Sequence, residues 1–346
     1  MPIRRFSLLC AISAATLVFA SCAKAEPSRA EFVMGTVCSV TLYDEGKAQV
    51  YRDIFSRLRE IENLMSVNVK GSDIDHINAE AGKAPVQVHD DVYELIERAL
   101  YFAEISGGAF DPTVGPLVSL WGIGGDNPRL PAQREIDAVL QLVNWRDVEL
   151  ERESRSVFLK RPGMALDLGA IAKGYAADEA AAIVRKAGLR RALIDLGGNV
   201  LTYGVKKDRS PWMVGVQNPI DARGSYIGIV QYATPASGFL PVKTVVTSGV
   251  YERNFEYNGV LYHHILSPFD GYPVRNSLLS VTIVSDSSAD ADALSTTVFS
   301  MGYEKGRTLI EALEDTEAVF IFDDMSVRKT SGLDFTLSYG KFRLAE

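Results

Sequence analysis

The chain has 346 residues, 47% hydrophobic and 23% charged, an ordinary balance for a globular protein that can bury a core without disulfides or a structural metal. Its 36 Lys and Arg against 44 Asp and Glu give a formal charge of −8, which excludes a nucleic-acid binder working through a broad basic surface. The three cysteines, Cys10, Cys22 and Cys38, are too few and too scattered for a zinc ribbon, an iron–sulfur centre or a disulfide scaffold.

Arg4 and Arg5 precede an apolar run over residues 6–20 that is short for a membrane span, the pattern of an export signal. Phe19-Ala20-Ser21-Cys22 has the form of a lipoprotein signal in which Cys22 is acylated and becomes the first mature residue. Cleavage after Ala23-Lys24-Ala25 would instead leave a free periplasmic protein. The expected organisation is an export signal over residues 1–22, a polar tether over 23–30 and one domain over 31–346. That places the mature protein on the periplasmic side of a bacterial membrane, anchored by lipid, with Cys38 lacking an intrachain partner.

Residues 31–43 alternate as a strand interrupted at Met34-Gly35-Thr36. Helical spacing follows over 49–65, through Val50, Ile54, Leu58, Ile61 and Met65, and again from Val92 to Ala103, with Asp90 as N-cap and Gly107-Gly108 as stop. A Gly/Pro-rich loop over 121–131 leads to a helix over 132–143 and a strand over 157–159. Residues 167–188 read as a turn entering an Ala-rich helix. Strands are expected over 193–203, 212–216, 227–232, 242–247, 261–266 and 279–284, helices over 290–301 and 303–313, and a last strand over 318–322. Strands and helices are grouped rather than alternating, so the fold class is α+β.

Four segments have the residue types of a chemical site. Gly107-Gly108-Ala109-Phe110-Asp111 follows a helix; its glycines admit close approach, Phe110 offers a stacking surface and Asp111 an acceptor, unless the segment is a plain helix stop and turn. Asp167-Leu168-Gly169-Ala170-Ile171-Ala172-Lys173 opens a helix whose free amides and Lys173 suit a phosphate, or it is a capped helix with a surface lysine. Leu196-Gly197-Gly198-Asn199 reads as a turn. Asp292 and Thr296, one helical turn apart, pair a carboxylate with a hydroxyl as oxygen ligands for a hard cation such as Mg²⁺; alternatively Asp290 caps that helix and the hydroxyls are incidental. His263 and His264, adjacent on a strand, point to opposite faces, so one can serve as a base while the other is structural.

Together with Thr247-Ser248-Gly249 and His264-Ile265-Leu266, these segments occur in the order found in the ApbE family of FAD:protein FMN transferases, which the chain resembles from about Met34 to Gly302. The resemblance implies an enzyme with mixed, largely antiparallel sheets flanked by helices. It would use Mg²⁺ and take FAD as substrate, moving FMN to a Thr hydroxyl of an exported or membrane redox protein and releasing AMP. It further implies metal ligation by Asp292, Thr296 and the carbonyl of Ala170, and flavin contacts from Met34, Asn68, Ala109, Phe110, Asp111, Asp167, Lys173 and Ile265, with His264 as candidate base. The chain departs from the family at Ser267, where a carboxylate is usual, at Val250, and at Asn68, often aromatic in relatives. These departures leave open a Mg²⁺-dependent FAD pyrophosphatase giving FMN and AMP; a non-catalytic flavin-binding lipoprotein is the remaining alternative.

Overall fold

A computed structural model of the chain describes residues 28–44, 47–221, 224–232 and 241–345. The predicted signal and Cys22 lie outside the described residues. The first half contains β1 (Ser28–Val33), β2 (Thr36–Leu42), α1 (Ala48–Met65), α2 (Asp73–Ala79), β3 (Val86–Gln87), α3 (Asp90–Ile105), α4 (Gly115–Trp121), α5 (Gln133–Leu140), β4 (Val148–Glu151), β5 (Ser156–Leu159) and α6 (Ala172–Lys186). It continues with β6 (Arg191–Leu196), β7 (Asn199–Gly204), β8 (Trp212–Gln217), β9 (Tyr226–Tyr232), β10 (Val242–Gly249), β11 (Asn254–Tyr257) and β12 (Val260–His263). Last come β13 (Leu278–Ser285), α7 (Ser288–Met301), α8 (Tyr303–Glu311), β14 (Glu317–Phe322), β15 (Ser326–Lys329), β16 (Phe335–Leu337) and β17 (Arg343–Leu344).

Nine strands form the main sheet in the order β1-β2-β6-β7-β10-β13-β14-β15-β17, antiparallel except where β15 meets β17. Both faces of its middle are covered, which explains the near-continuous apolar runs of β13 and β14. Val281, Ile283, Ala318 and Phe320 pack toward the helices, in one core with Ile54 and Leu58 of α1 and Ala177 and Val184 of α6. Their neighbours Val284, Val319 and Ile321 pack on the opposite face against Val214 and Val216 of β8 and Val230 of β9. That second cover is a three-stranded sheet, β16-β9-β8. A satellite core of Leu117, Trp121, Ile136, Tyr262 and Leu266 joins α4 and α5 to the β11–β12 hairpin. Among the described residues no helix is long and apolar enough to cross a membrane.

The α+β class holds, and three expectations need correction. The segment expected as one strand over 193–203 is the β6–β7 hairpin, because Gly197 and Gly198 both take positive φ and reverse the chain there. Gly197 has a second constraint: a Cβ there would lie 2.3 Å from Thr36 Oγ1, so the β2 start and the β6–β7 turn touch through a missing side chain. Strand β1 reaches into the expected tether, since Ser28 pairs with Thr41. The N-caps also move. Ser287, not Asp290, caps α7 through the Asp290 amide, and His89 rather than Asp90 stands at the N-cap of α3.

Candidate active site

The site is built around α7, a helix buried along most of its length by Ala291, Ala293, Leu294 and Val298. Asp292 is 4% exposed, so its carboxylate must be partnered. Its Oδ2 accepts the Gly174 backbone N–H at 2.9 Å, and Lys173 Nζ stands 3.5 Å from Oδ1. One turn on, Thr296 Oγ1 is 3.1 Å from Ser248 Oγ, which is also 2.7 Å from Ser295 Oγ. In sequence Ser248 is only one residue of the Thr247-Ser248-Gly249 motif; its place beside Thr296 comes from β10 lying against α7.

Diverting the Gly174 amide to Asp292 has a consequence for the turn before α6. In a regular helix that N–H would bond the carbonyl of Ala170, four residues back. Here the Ala170 carbonyl accepts no hydrogen bond among the described residues, while Ile171 and Ala172 both donate to Leu168 O and Lys173 Nζ donates to Gly169 O at 3.2 Å. The amides of Ala170 and Lys173 are likewise undonated within the described residues. A carboxylate, a hydroxyl and a free carbonyl form an all-oxygen set of the kind that suits Mg²⁺, which keeps several waters or phosphate oxygens of its own. The residues therefore fit the cation.

Long-range contacts place the α6 turn. Asp167 N donates to Pro112 O at 2.8 Å, joining the second and first motifs, and Asp167 Oδ1 accepts Gly169 N–H in a tight turn. Asn78 of α2 grips Leu166 from both sides, Nδ2 donating to its carbonyl at 3.0 Å and Oδ1 accepting its N–H at 2.7 Å. No sequence signal marks Asn78. Asn78→Ala leaves both Leu166 groups without partners, and should lower stability by about 1–3 kcal/mol in chemical unfolding.

At the other side of the site, His264 donates its N–H to Arg253 O at 3.0 Å, and its ring Nδ1 lies 3.2 Å from the same oxygen. A carbonyl can only accept, so Nδ1 carries the proton and Nε2 keeps its lone pair. Burial pushes the ring down to about 4; the hydrogen bond to the Arg253 carbonyl opposes this, while the charges of Arg253, His263 and Lys173 act with burial. His263 is the structural partner, as expected: Nε2 donates to Val274 O, Nδ1 accepts from Ile265 N, and the ring meets Phe299 edge-on. Met34 and Gly35 form a two-residue turn with φ of 56° and 69°, a left-handed setting that strains the methionine.

The first motif splits in role. Ala109 lines a cleft of about 300 Å³ with Ser267, Phe269 and Arg275. Phe110, expected to offer a stacking surface, is 5% exposed and packs edge-on against Phe102 of α3, so its ring belongs to the core. Asp111, expected as a free acceptor, has both oxygens engaged: Oδ1 by the Thr113 N–H and hydroxyl, Oδ2 by Trp145 N–H. Ile265 is buried, and its carbonyl accepts Val274 N–H. Asn68 is exposed in the loop after α1, and no described hydrogen bond joins it to Lys173 or Asp292.

Comparison with known proteins identifies the family of the whole chain. The ApbE family profile matches residues 34–320. A FAD:protein FMN transferase of Treponema pallidum (strain Nichols) is 40% identical over 325 residues, 89% of this chain and 88% of its own. One of Klebsiella pneumoniae (strain 342) is 39% identical over 289 residues, 84% of this chain and 87% of its own. Among solved structures, the ApbE protein of Thermotoga maritima superposes with a TM-score of 0.76 at 31% identity, covering 90% of this chain and 96% of its own. The flavin transferase ApbE of Vibrio cholerae gives 0.75 at 26% identity, with the same coverage. Profile, sequence and fold thus agree across nearly all of the described residues, and the chain belongs to the ApbE family.

Proposed function

We propose that this chain is an FAD:protein FMN transferase that moves FMN from FAD to a threonine hydroxyl of an acceptor protein and releases AMP. The observation that carries the reading is the contact of Asp292 with Lys173 and the Gly174 amide, one helical turn from Thr296, which leaves the Ala170 carbonyl before α6 without its helical donor. Lys173 and the open amides of Ala170 and Lys173 hold the diphosphate of FAD. Asp292, Thr296 and Ala170 hold Mg²⁺, which when bound draws charge from the diphosphate. The threonine oxygen forms a bond to the flavin-side phosphorus, the bond to the AMP phosphate breaks, and the hydroxyl proton passes to Nε2 of His264. Residues 1–22 deliver the chain to the periplasmic side, and a lipid on Cys22 keeps it at the membrane beside an exported or membrane redox acceptor.

A second reading, hydrolysis of FAD to FMN and AMP with water as nucleophile, is favoured by one observation: Asn68 is an exposed polar side chain where the resemblance expects an aromatic. Chromatography separates the readings. The mature chain with FAD and Mg²⁺, with and without a threonine peptide, should give AMP and flavin on the peptide. AMP with free FMN in both tubes would make it a hydrolase, and intact FAD in both would leave a binding protein.

The proton step also has a pH signature. A base whose pKa is lowered is already neutral well below pH 7, so kcat/KM should stay flat down to about pH 4 and fall tenfold per unit beneath it. An acid limb near 6.5 that vanishes in His264→Gln would show that the ring titrates as an ordinary histidine instead.

A further inference from the structure

We propose that Arg253 reads the acceptor: its guanidinium binds a carboxylate that the acceptor polypeptide carries beside the receiving hydroxyl. This rests on the transferase reading and names the partner chemistry of the same site. Arg253 lies between β10 and β11, and its carbonyl is the group that orients His264. Its side chain runs outward over two glycine turns. A Cβ on Gly124 would fall 2.8 Å from its Cδ, and one on Gly35 would fall 3.9 Å from its Nη2. The bed is therefore made of backbone without side chains, and it adjoins the strained Met34 turn.

Several exposed arginines are satisfied by carboxylates, as in Arg98 with Asp290, Arg129 with Glu135 and Arg343 with Asp324. The Arg253 guanidinium makes no ion pair or hydrogen bond among the described residues. Its position sets it apart from the other exposed arginines: it follows directly on the carbonyl that holds the candidate base, and in a chain of formal charge −8 an exposed cation there offers a place for an incoming anion. The diphosphate already has an inner cation, Lys173 on Asp292, together with the open amides of the α6 turn. Arg253 sits on exposed turns outside that seam, where a polypeptide has access. Its planar fork matches a carboxylate through two parallel hydrogen bonds, so one Asp or Glu near the threonine would fix the register of the acceptor.

The test uses the intact chain, FAD, Mg²⁺ and three synthetic peptides that differ only in Asp, Asn or Lys beside a single threonine. The wild-type chain should favour the Asp peptide at least tenfold in kcat/KM. Arg253→Ala should raise the KM of that peptide by about 10- to 100-fold and erase the preference, while FAD binding measured by fluorescence stays the same. Arg253→Lys should recover part of the preference, and Arg253→Glu should turn it toward a peptide with Lys at that position. Weaker FAD binding with the peptide preference intact would assign the guanidinium to the diphosphate and overturn the proposal, as would no change in either. A wild-type chain that releases FMN and AMP but labels none of the peptides rejects the transferase reading itself, and it does so without any Arg253 variant.

Discussion

Gly174→Ala should destabilise the protein and nearly abolish turnover, although alanine in a helix interior is ordinarily better than glycine by about 1 kcal/mol. The steric term decides the sign. A Cβ at Gly174 would lie 2.1 Å from Ser288 O, 2.6 Å from Ser288 C and 2.7 Å from Ala289 Cα, all backbone atoms. Those atoms cannot swing aside like a side chain. They begin α7 and are held by Asp178 of α6, whose carboxylate accepts the Ser288 and Ala289 amides at 3.0 and 2.9 Å. Arg98 holds the same turn by gripping Asp290 with two hydrogen bonds. The helices must therefore separate, at a cost of about 3 kcal/mol, the upper part of the usual range for overpacking. A thermal melt should fall by on the order of 5–10 °C, and AMP release should drop about 100-fold as Lys173 and the Ala170 carbonyl shift from Asp292. A higher melting temperature would show that the seam is looser than its geometry.

Asp292→Asn should have the larger effect on chemistry and the smaller one on fold. The amide keeps the size of the carboxylate, and its oxygen can still accept the Gly174 N–H. What is lost is the one negative charge in a donor set otherwise made of a hydroxyl and a carbonyl. If that set holds the cation, the loss of several kcal/mol of charge stabilisation slows AMP release by about 10²- to 10⁴-fold and raises the Mg²⁺ concentration for half-maximal rate. The check is a Mg²⁺ titration of initial rates beside a melt. An unchanged half-maximal Mg²⁺ concentration would remove Asp292 from the cation site. Losing the charge also frees Lys173 from its ion pair, so FAD binding should be measured separately.

Much of the fold was legible because its signals are local. The apolar spacing of Val50, Ile54, Leu58, Ile61 and Met65 returns as the buried face of α1, and the doubly covered middle strands follow their continuous Val and Ile runs. Helix α2 was not legible: its seven residues are mostly polar, and its buried Asp73 accepts the His89 amide from a distant loop. Gly197-Gly198 reads as a turn in the sequence, yet the strands it joins read as one, since both flanks are apolar and alternate alike.

The sequence by itself determined the periodicities, the α+β class, the one-turn pairing of Asp292 with Thr296 and, through its motifs in family order, the family resemblance. Tertiary structure decided which groups are available. It buried the Phe110 ring against Phe102 and consumed both oxygens of Asp111 in local turns, and it reserved Nε2 of His264 by tying Nδ1 to Arg253. It also freed the Ala170 carbonyl by sending the Gly174 amide to a residue 118 positions away. Spacing along a helix or strand is fixed by local backbone geometry. A donor's partner across such a separation is fixed by how helices and sheet pack, and no local pattern encodes it.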